Sequence, residues 1–204
     1  MKYLLQSSFN SEQKSLIKGI SRDYFSKQPN HIATLKDLIV KGKAGGTPSS
    51  TVAEYYNGDI PFLSISDITK QGKYVGFTEK HISESGLANS SAWIVPSNSL
   101  ILSMYASVGL VCIINKVPLA TSQAMFSMVL KDCNMLDYIY YYLNFFRETQ
   151  IYRLLETETQ SNINADTVRD IEIPFYSNIL VFVKTLQAIE NRLNNEKDML
   201  SRLM

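Results

Sequence analysis

The sequence predicts an α+β protein: a mostly antiparallel sheet with flanking helices forms a globular unit, and a long C-terminal helix of coiled-coil type follows it. Three observations predict this. Short β-rich runs alternate with turn formers between residues 60 and 130. Apolar residues at helical spacing bracket those runs on both sides. A seven-residue apolar repeat then closes the chain.

Taken in order, Phe9, Leu16, Ile17, Ile20 and Tyr24 recur at helical spacing, with Asn10 as N-cap and Gln13 as its capping-box partner. Pro29 and Asn30 end this helix, and Ile32 to Val40 forms a short helix or strand leading into KGKAGGTPSS, residues 41–50. Strands are expected at Ile60 to Ile65, Trp93 to Val95, Leu100 to Met104, Val108 to Ile114 and Ala124 to Leu130. Asn57-Gly58-Asp59, Gly72, Gly76, Pro96-Ser97-Asn98 and Pro118 mark the turns between them. Helical spacing returns over 136–155 through Leu136, Ile139, Leu143 and Phe146, with the tyrosine run Tyr140 to Tyr142 around it. In the last stretch Ile179, Leu186, Leu193 and Leu200 stand seven apart. Phe182, Ile189 and Leu203 fill the second apolar position, which only Glu196 breaks. Pro174 and Ser177 signal the start of that helix, whose length is roughly 40 Å at 1.5 Å per residue. Its narrow stripe calls for a partner helix, either the first helix of the chain or a second copy, the alternative being an ordinary amphipathic helix that lies back on the sheet. The expected organisation is an N-terminal helix over 1–28, a central domain over 29–175 and a pairing helix over 176–204.

Composition narrows the function. Apolar residues make up 45% and charged residues 19%, the balance of a folded chain, and no apolar run approaches a membrane span, so a cytoplasmic protein without membrane contact is expected. Cys112, Cys133, His31 and His81 lie singly and far apart, without the short-range pairing of zinc sites. The net charge of +1 hides an asymmetry, since residues 1–50 hold eight Lys/Arg against three Asp/Glu. Gly42-Lys43 is followed by Ala44 and position 37 is Asp, so a Walker-type phosphate loop is excluded. Ile173-Pro174-Phe175-Tyr176 lacks the polar residue and second proline of an amino-methyltransferase box. Glu12-Gln13-Lys14 has no upstream acid to help hold a metal, and two histidines outside any motif support no nucleophile–base pair. Binding is favoured over catalysis.

Gly45-Gly46-Thr47-Pro48-Ser49, Glu54-Tyr55-Tyr56 and Gly58 through Ile68 together resemble the start of a target recognition domain of type I restriction-modification specificity subunits. His81-Ile82-Ser83, Gly86-Leu87, Ile94-Val95-Pro96, Ile101-Leu102-Ser103, Val108-Gly109 and Ala120 through Ala124 continue the resemblance in order. Thr159 through Asn164, Val168 and Ile171 through Pro174 resemble the lead into that family's spacer helix. The family usually carries two recognition domains and two spacer helices, so a chain with one of each resembles a half-subunit that two copies would complete. There are departures: Phe175-Tyr176-Ser177 replaces the usual prolines and Glu-Gln pair, and Met104 stands where an arginine is frequent.

The resemblance implies a non-catalytic reader of double-stranded DNA that holds methyltransferase subunits, and with them restriction subunits, over a two-part site, with no cofactor of its own. The residue chemistry agrees, because lysines and backbone amides on phosphates fix register while side chains in the grooves read bases. Lys41 and Lys43 are expected to meet phosphate, Gly45 and Gly46 to allow close backbone approach, and Thr47 and Ser49 to be aimed by Pro48. Lys70, Lys73, Tyr74, Lys80 with His81, Tyr105, Ser107 and Gln123 are further candidates, Gln123 for adenine. The alternative from another class is a scaffold or inhibitory half-subunit that pairs with methyltransferase subunits and does not grip DNA.

Overall fold

The structure, a computed structural model, describes residues 2–151 and 162–202. The chain forms two compact units, one from Met1–Ile32 with Pro174–Met204 and one from Ala33–Ile173.

The first unit is helical. Helix α1 spans Lys2–Phe25 and the C-terminal helix, here α7, spans Ile179–Arg202. The last turn of α1 buries Tyr24 and Phe25 against Phe182 near the start of α7. The Tyr24 and Phe182 rings stack at 3.9 Å, and Phe25 meets Phe182 edge-on at 5.1 Å. Tyr176 closes this aromatic group at 4.7 Å from Tyr24, and its hydroxyl donates to the Phe25 carbonyl at 3.2 Å. Aromatic pairs of this kind contribute about 0.5–1.5 kcal/mol each beyond their buried area. Because α1 already runs from Lys2, Asn10 lies inside the helix and is not its N-cap.

The second unit holds two sheets. The five-stranded sheet has the order β2 (Ile39–Ala44), β10 (Met125–Leu130), β7 (Leu100–Ser103), β8 (Val111–Ile114), β4 (Tyr74–Val75). The four-stranded sheet has the order β5 (Lys80–Ile82), β3 (Tyr56–Leu63), β9 (Leu119–Thr121), β6 (Ile94–Val95). Most of these pairs are antiparallel, with β3–β9 and β4–β8 parallel. A separate two-stranded sheet joins β1 (His31–Thr34) to β11 (Glu172–Phe175).

The main core lies between the larger sheets. Ile101, Cys112, Ile114 and Met125 from one meet Leu63, Val95 and Leu119 from the other, while a buried Thr121–Ser127 hydroxyl pair at 3.1 Å bridges them. Leu100, Leu102, Ile113, Phe126 and Met128 fill the opposite face of the five-stranded sheet. Helix α5 (Leu136–Thr149) packs on β8 and buries Tyr138, Ile139, Tyr141, Tyr142, Leu143 and Phe146. With both faces covered, β7 and β8 are buried at every position, in keeping with the apolar runs at 100–102 and 111–114.

The α+β class expected from the sequence is met, with differences of detail in its elements. The stretch 60–65 does not end as a strand: Ser64 caps helix α3 (Ile65–Gln71), accepting from the Asp67 amide at 3.3 Å, while the Asp67 carboxylate accepts from the Ser64 amide at 2.8 Å. Ser83 caps a second short helix, α4 (Glu84–Ala88), and Ile32 to Val40 is both strand and helix, through α2 (Leu35–Leu38). Helix α6 (Ala165–Arg169) is capped by Asn164. The expected helical residues 152–155, Thr159-Gln160-Ser161 and Leu203 lie outside the described residues.

Candidate nucleic-acid interface

Lys41 and Lys43 sit on strand β2, not in the loop after it. They oppose Val129 and Ser127 of β10, so both fall on the face turned toward the four-stranded sheet, at the free edge of their own sheet. The Lys41 ammonium lies 4.0 Å over the Trp93 ring, a cation–π contact, and Lys43 is exposed without an acidic partner among the described residues. Gly42 points to the other face, where Arg169 of α6 donates to its carbonyl at 3.0 Å and lies over the Phe126 ring.

The two glycines that follow serve the fold. The Gly45 amide donates to the Met125 carbonyl at 3.0 Å and the Gly46 amide to the Thr121 carbonyl at 2.9 Å, so the chain crosses from one sheet to the other at this dipeptide. A methyl at Gly45 would collide with the Thr121 carbonyl, and one at Gly46 with the Ser91–Ala92 backbone. Both are buried, which corrects the expectation that they admit DNA: the close approach is to the protein's own backbone.

Past the crossing, segments far apart in sequence converge. The Thr47 hydroxyl donates to the Gln123 side-chain oxygen, which orients the amide and leaves its NH2 without a protein partner among the described residues. The Tyr56 hydroxyl donates to the Pro48 carbonyl at 2.6 Å and fixes the turn, while Ser49 and Thr51 share a hydroxyl bond at 2.8 Å. The Met104 amide donates to the Ala124 carbonyl at 2.7 Å, and the Ile163 amide to the Met104 carbonyl at 3.1 Å. Thr47, Ser49, Tyr105, Ser107 and Gln123 are all exposed on these joined loops.

The other candidates lie elsewhere. Lys73 precedes β4, at the far edge of the five-stranded sheet, and its side chain is 10% exposed. It pairs with Asp137 at 2.7 Å, meets the Tyr141 hydroxyl at 2.9 Å and lies within 5.2 Å of three tyrosine rings, so it is a structural cation rather than a phosphate contact. Tyr74 donates to the same carboxylate at 3.1 Å. Lys70, on α3, is bound to Glu79, whose hydrogen bond and charge raise the lysine pKa above its ordinary range. Lys80 is exposed and His81 half-buried on β5, an edge strand of the smaller sheet.

Three residues of consequence were not among the site candidates read from the sequence. Trp93 supports Lys41, Arg169 holds the β2 backbone, and Arg147 donates to the Val108 carbonyl at 3.2 Å. Only Trp93, the one tryptophan of the sequence, carried a signal. In the pairing helix, Phe182 and Leu186 are buried within the chain, and Ile179, Ile189 and Leu193 are half-buried. Leu200 lies in α7 with its side chain outside the described set. Among the described residues no helix is long and apolar enough to cross a membrane, and no group of three metal-ligating side chains occurs.

Residues 29–197 match the family described as the type I restriction modification DNA specificity domain. The chain is 29% identical over 151 residues, 72% of its length, to the type I restriction enzyme MjaIX specificity subunit of Methanocaldococcus jannaschii, and covers 34% of that protein. It is 30% identical over 168 residues, 79% of its length, to the HindI specificity subunit of Haemophilus influenzae, and covers 36% of it. It therefore spans about a third of the curated relatives it matches. The crystal structure of the HsdS subunit from Thermoanaerobacter tengcongensis has the same fold, with a TM-score of 0.65 over 96% of this chain and 47% of that one, at 14% identity.

Proposed function

The chain belongs to the type I restriction modification DNA specificity domain family, and on that premise we propose that its mixed α/β unit recognises double-stranded DNA by sequence. It serves as the specificity component of a type I complex whose methyltransferase subunits supply the chemistry, and to which restriction subunits attach. One observation carries this reading: the loops at 47–51, 104–108 and 122–124 are tied into one surface and present mainly polar and aromatic side chains. Thr47, Ser49, Tyr105, Ser107 and Gln123 face the grooves. Lys43, and Lys41 from its perch on Trp93, take phosphates. Helix α7, with Leu180 and Val181 exposed, offers the face on which a second copy or the methyltransferase subunits pair, giving a two-part site.

The test is the affinity for duplex DNA against salt concentration, read by anisotropy with the methyltransferase subunits present. A linear fall of log affinity with log salt is expected, and Lys43→Ala lowers its slope by about 0.9 while leaving stability unchanged. Binding to the methyltransferase without any salt-dependent grip on DNA refutes the reading. That outcome belongs to the scaffold alternative, which the internal pairing of Lys70 and Lys73 favours.

A further inference from the structure

The loop between β7 and β8 is held far more tightly than a surface turn needs. Ala106 has φ +58°, a left-handed conformation that a residue with a Cβ adopts at a cost, and Gly109 follows at φ +76°. The Ser103 hydroxyl donates to the Ser107 carbonyl and accepts from the Leu110 amide at 3.0 Å. The Gly109 amide donates to the Ser103 carbonyl at 2.9 Å, the Leu110 amide to the Ser107 carbonyl at 3.1 Å, and the Val108 amide to the Ala106 carbonyl at 3.0 Å. Arg147 and Ile151 close on the loop from below, against Gly109. Met104, at its start, is tied on one side to Ala124, the neighbour of Gln123, and on the other to Ile163.

Tyr105 stands on this ordered loop, between Met104 and the left-handed Ala106. The residue is 37% exposed, and its side chain has no ring contact or hydrogen bond among the described residues. A strained residue kept by over-determined surroundings points to a function for the geometry it enforces. An aromatic ring on a rigid support makes contact at little cost in conformational entropy.

Resting on the DNA-reading proposal above, we infer that Tyr105 is a specificity-determining residue, packing its ring on a thymine methyl in the major groove. Ala106 acts as a positioning residue that fixes the angle of approach. The thymine methyl is the apolar feature that marks a T in that groove, and apolar side chains read it by contact. Burying one methyl corresponds to about a fourfold change in affinity.

The experiment uses the full chain and a library of randomised duplexes, sequenced after selection. The wild type enriches a motif, and Tyr105→Ala erases the preference at one thymine while the other positions keep theirs. At that position, deoxyuridine in place of thymidine weakens wild-type binding about fourfold, leaves Tyr105→Ala indifferent, and still weakens Tyr105→Phe. Ala106→Gly keeps or raises the thermal midpoint yet blunts the thymidine–deoxyuridine difference, which a merely structural role would not do. Equal weakening at every position in Tyr105→Ala, or no change at any, overturns the inference while leaving DNA reading intact. A wild type that enriches no motif overturns DNA reading itself, and this inference with it.

Discussion

Replacing Lys73 by methionine separates a structural cation from a phosphate contact. The ammonium sits 2.7 Å from Asp137 and 2.9 Å from the Tyr141 hydroxyl, with ring centroids at 4.3 Å for Tyr141 and 5.2 Å for both Tyr74 and Tyr140. Methionine keeps most of the stem and removes the charge, which leaves Asp137 at 16% exposure with the Tyr74 hydroxyl still donating to it. Breaking one side of a fully buried pair costs about 3–5 kcal/mol. Residual exposure and the remaining hydroxyl soften this to about 2–4 kcal/mol, or roughly 4–16 °C in midpoint for a chain of this size. Urea unfolding measures the loss, and the double variant Lys73→Met with Asp137→Leu recovers most of it, because no carboxylate is then stranded. The salt dependence of DNA binding stays as in the wild type. A loss under about 1 kcal/mol, together with a shallower salt slope, would show the lysine to be a DNA contact after all.

Gly45→Ala drives a methyl into the Thr121 carbonyl and lowers stability by about 3 kcal/mol or more. Gly72→Ala meets open space at φ +78° and costs about 1 kcal/mol, both read by urea unfolding. Of the two cysteines, exposed Cys133 reacts with a thiol reagent in the native protein. Cys112 reacts only on unfolding, since burial pushes its thiol pKa far up; equal native rates would contradict this. Burial, with the nearby Tyr176, raises the Tyr24 phenol to about 12 from an unfolded value of 10. The folded state thus holds the proton more tightly, and its advantage, complete below pH 10, drains away between pH 10 and about 12. Tyr24→Phe removes that part of the alkaline decline in the unfolding midpoint, and an unchanged alkaline profile would count against it.

The legible parts of the fold were those with strong periodicity or punctuation. The strands at Leu100, Val111 and Met125 announced themselves as apolar runs between Gly, Pro and Asn, and α5 by its wide apolar face. Division of the strands between two sheets was not legible, because it depends on Gly45 and Gly46 crossing, and a glycine pair reads equally as a turn or a ligand cradle. Helices α3 and α4 are under two turns long, too short for periodicity, and only the Ser64–Asp67 and Ser83 caps mark them. Among candidate site residues, Thr47, Ser49, Tyr105, Ser107 and Gln123 were singled out from side-chain chemistry alone, and the structure puts them on exposed, joined loops. Lys73 was misread because local sequence does not reveal that Asp137 and Tyr141, over sixty residues on, close around it. The same distance hides the Thr47–Gln123 bond.

The paired strands β1 and β11 have a mechanical corollary. Leu35 at the front of the mixed unit donates to the Ile171 carbonyl at 2.8 Å, so the first and last turns of this 33–173 insert stand side by side. On the helical side, Asn30 likewise donates to the Phe175 carbonyl at 2.7 Å. A cassette whose two seams lie this near each other can be excised and replaced by a short turn, or by a different cassette, with little strain passed to the frame that carries it.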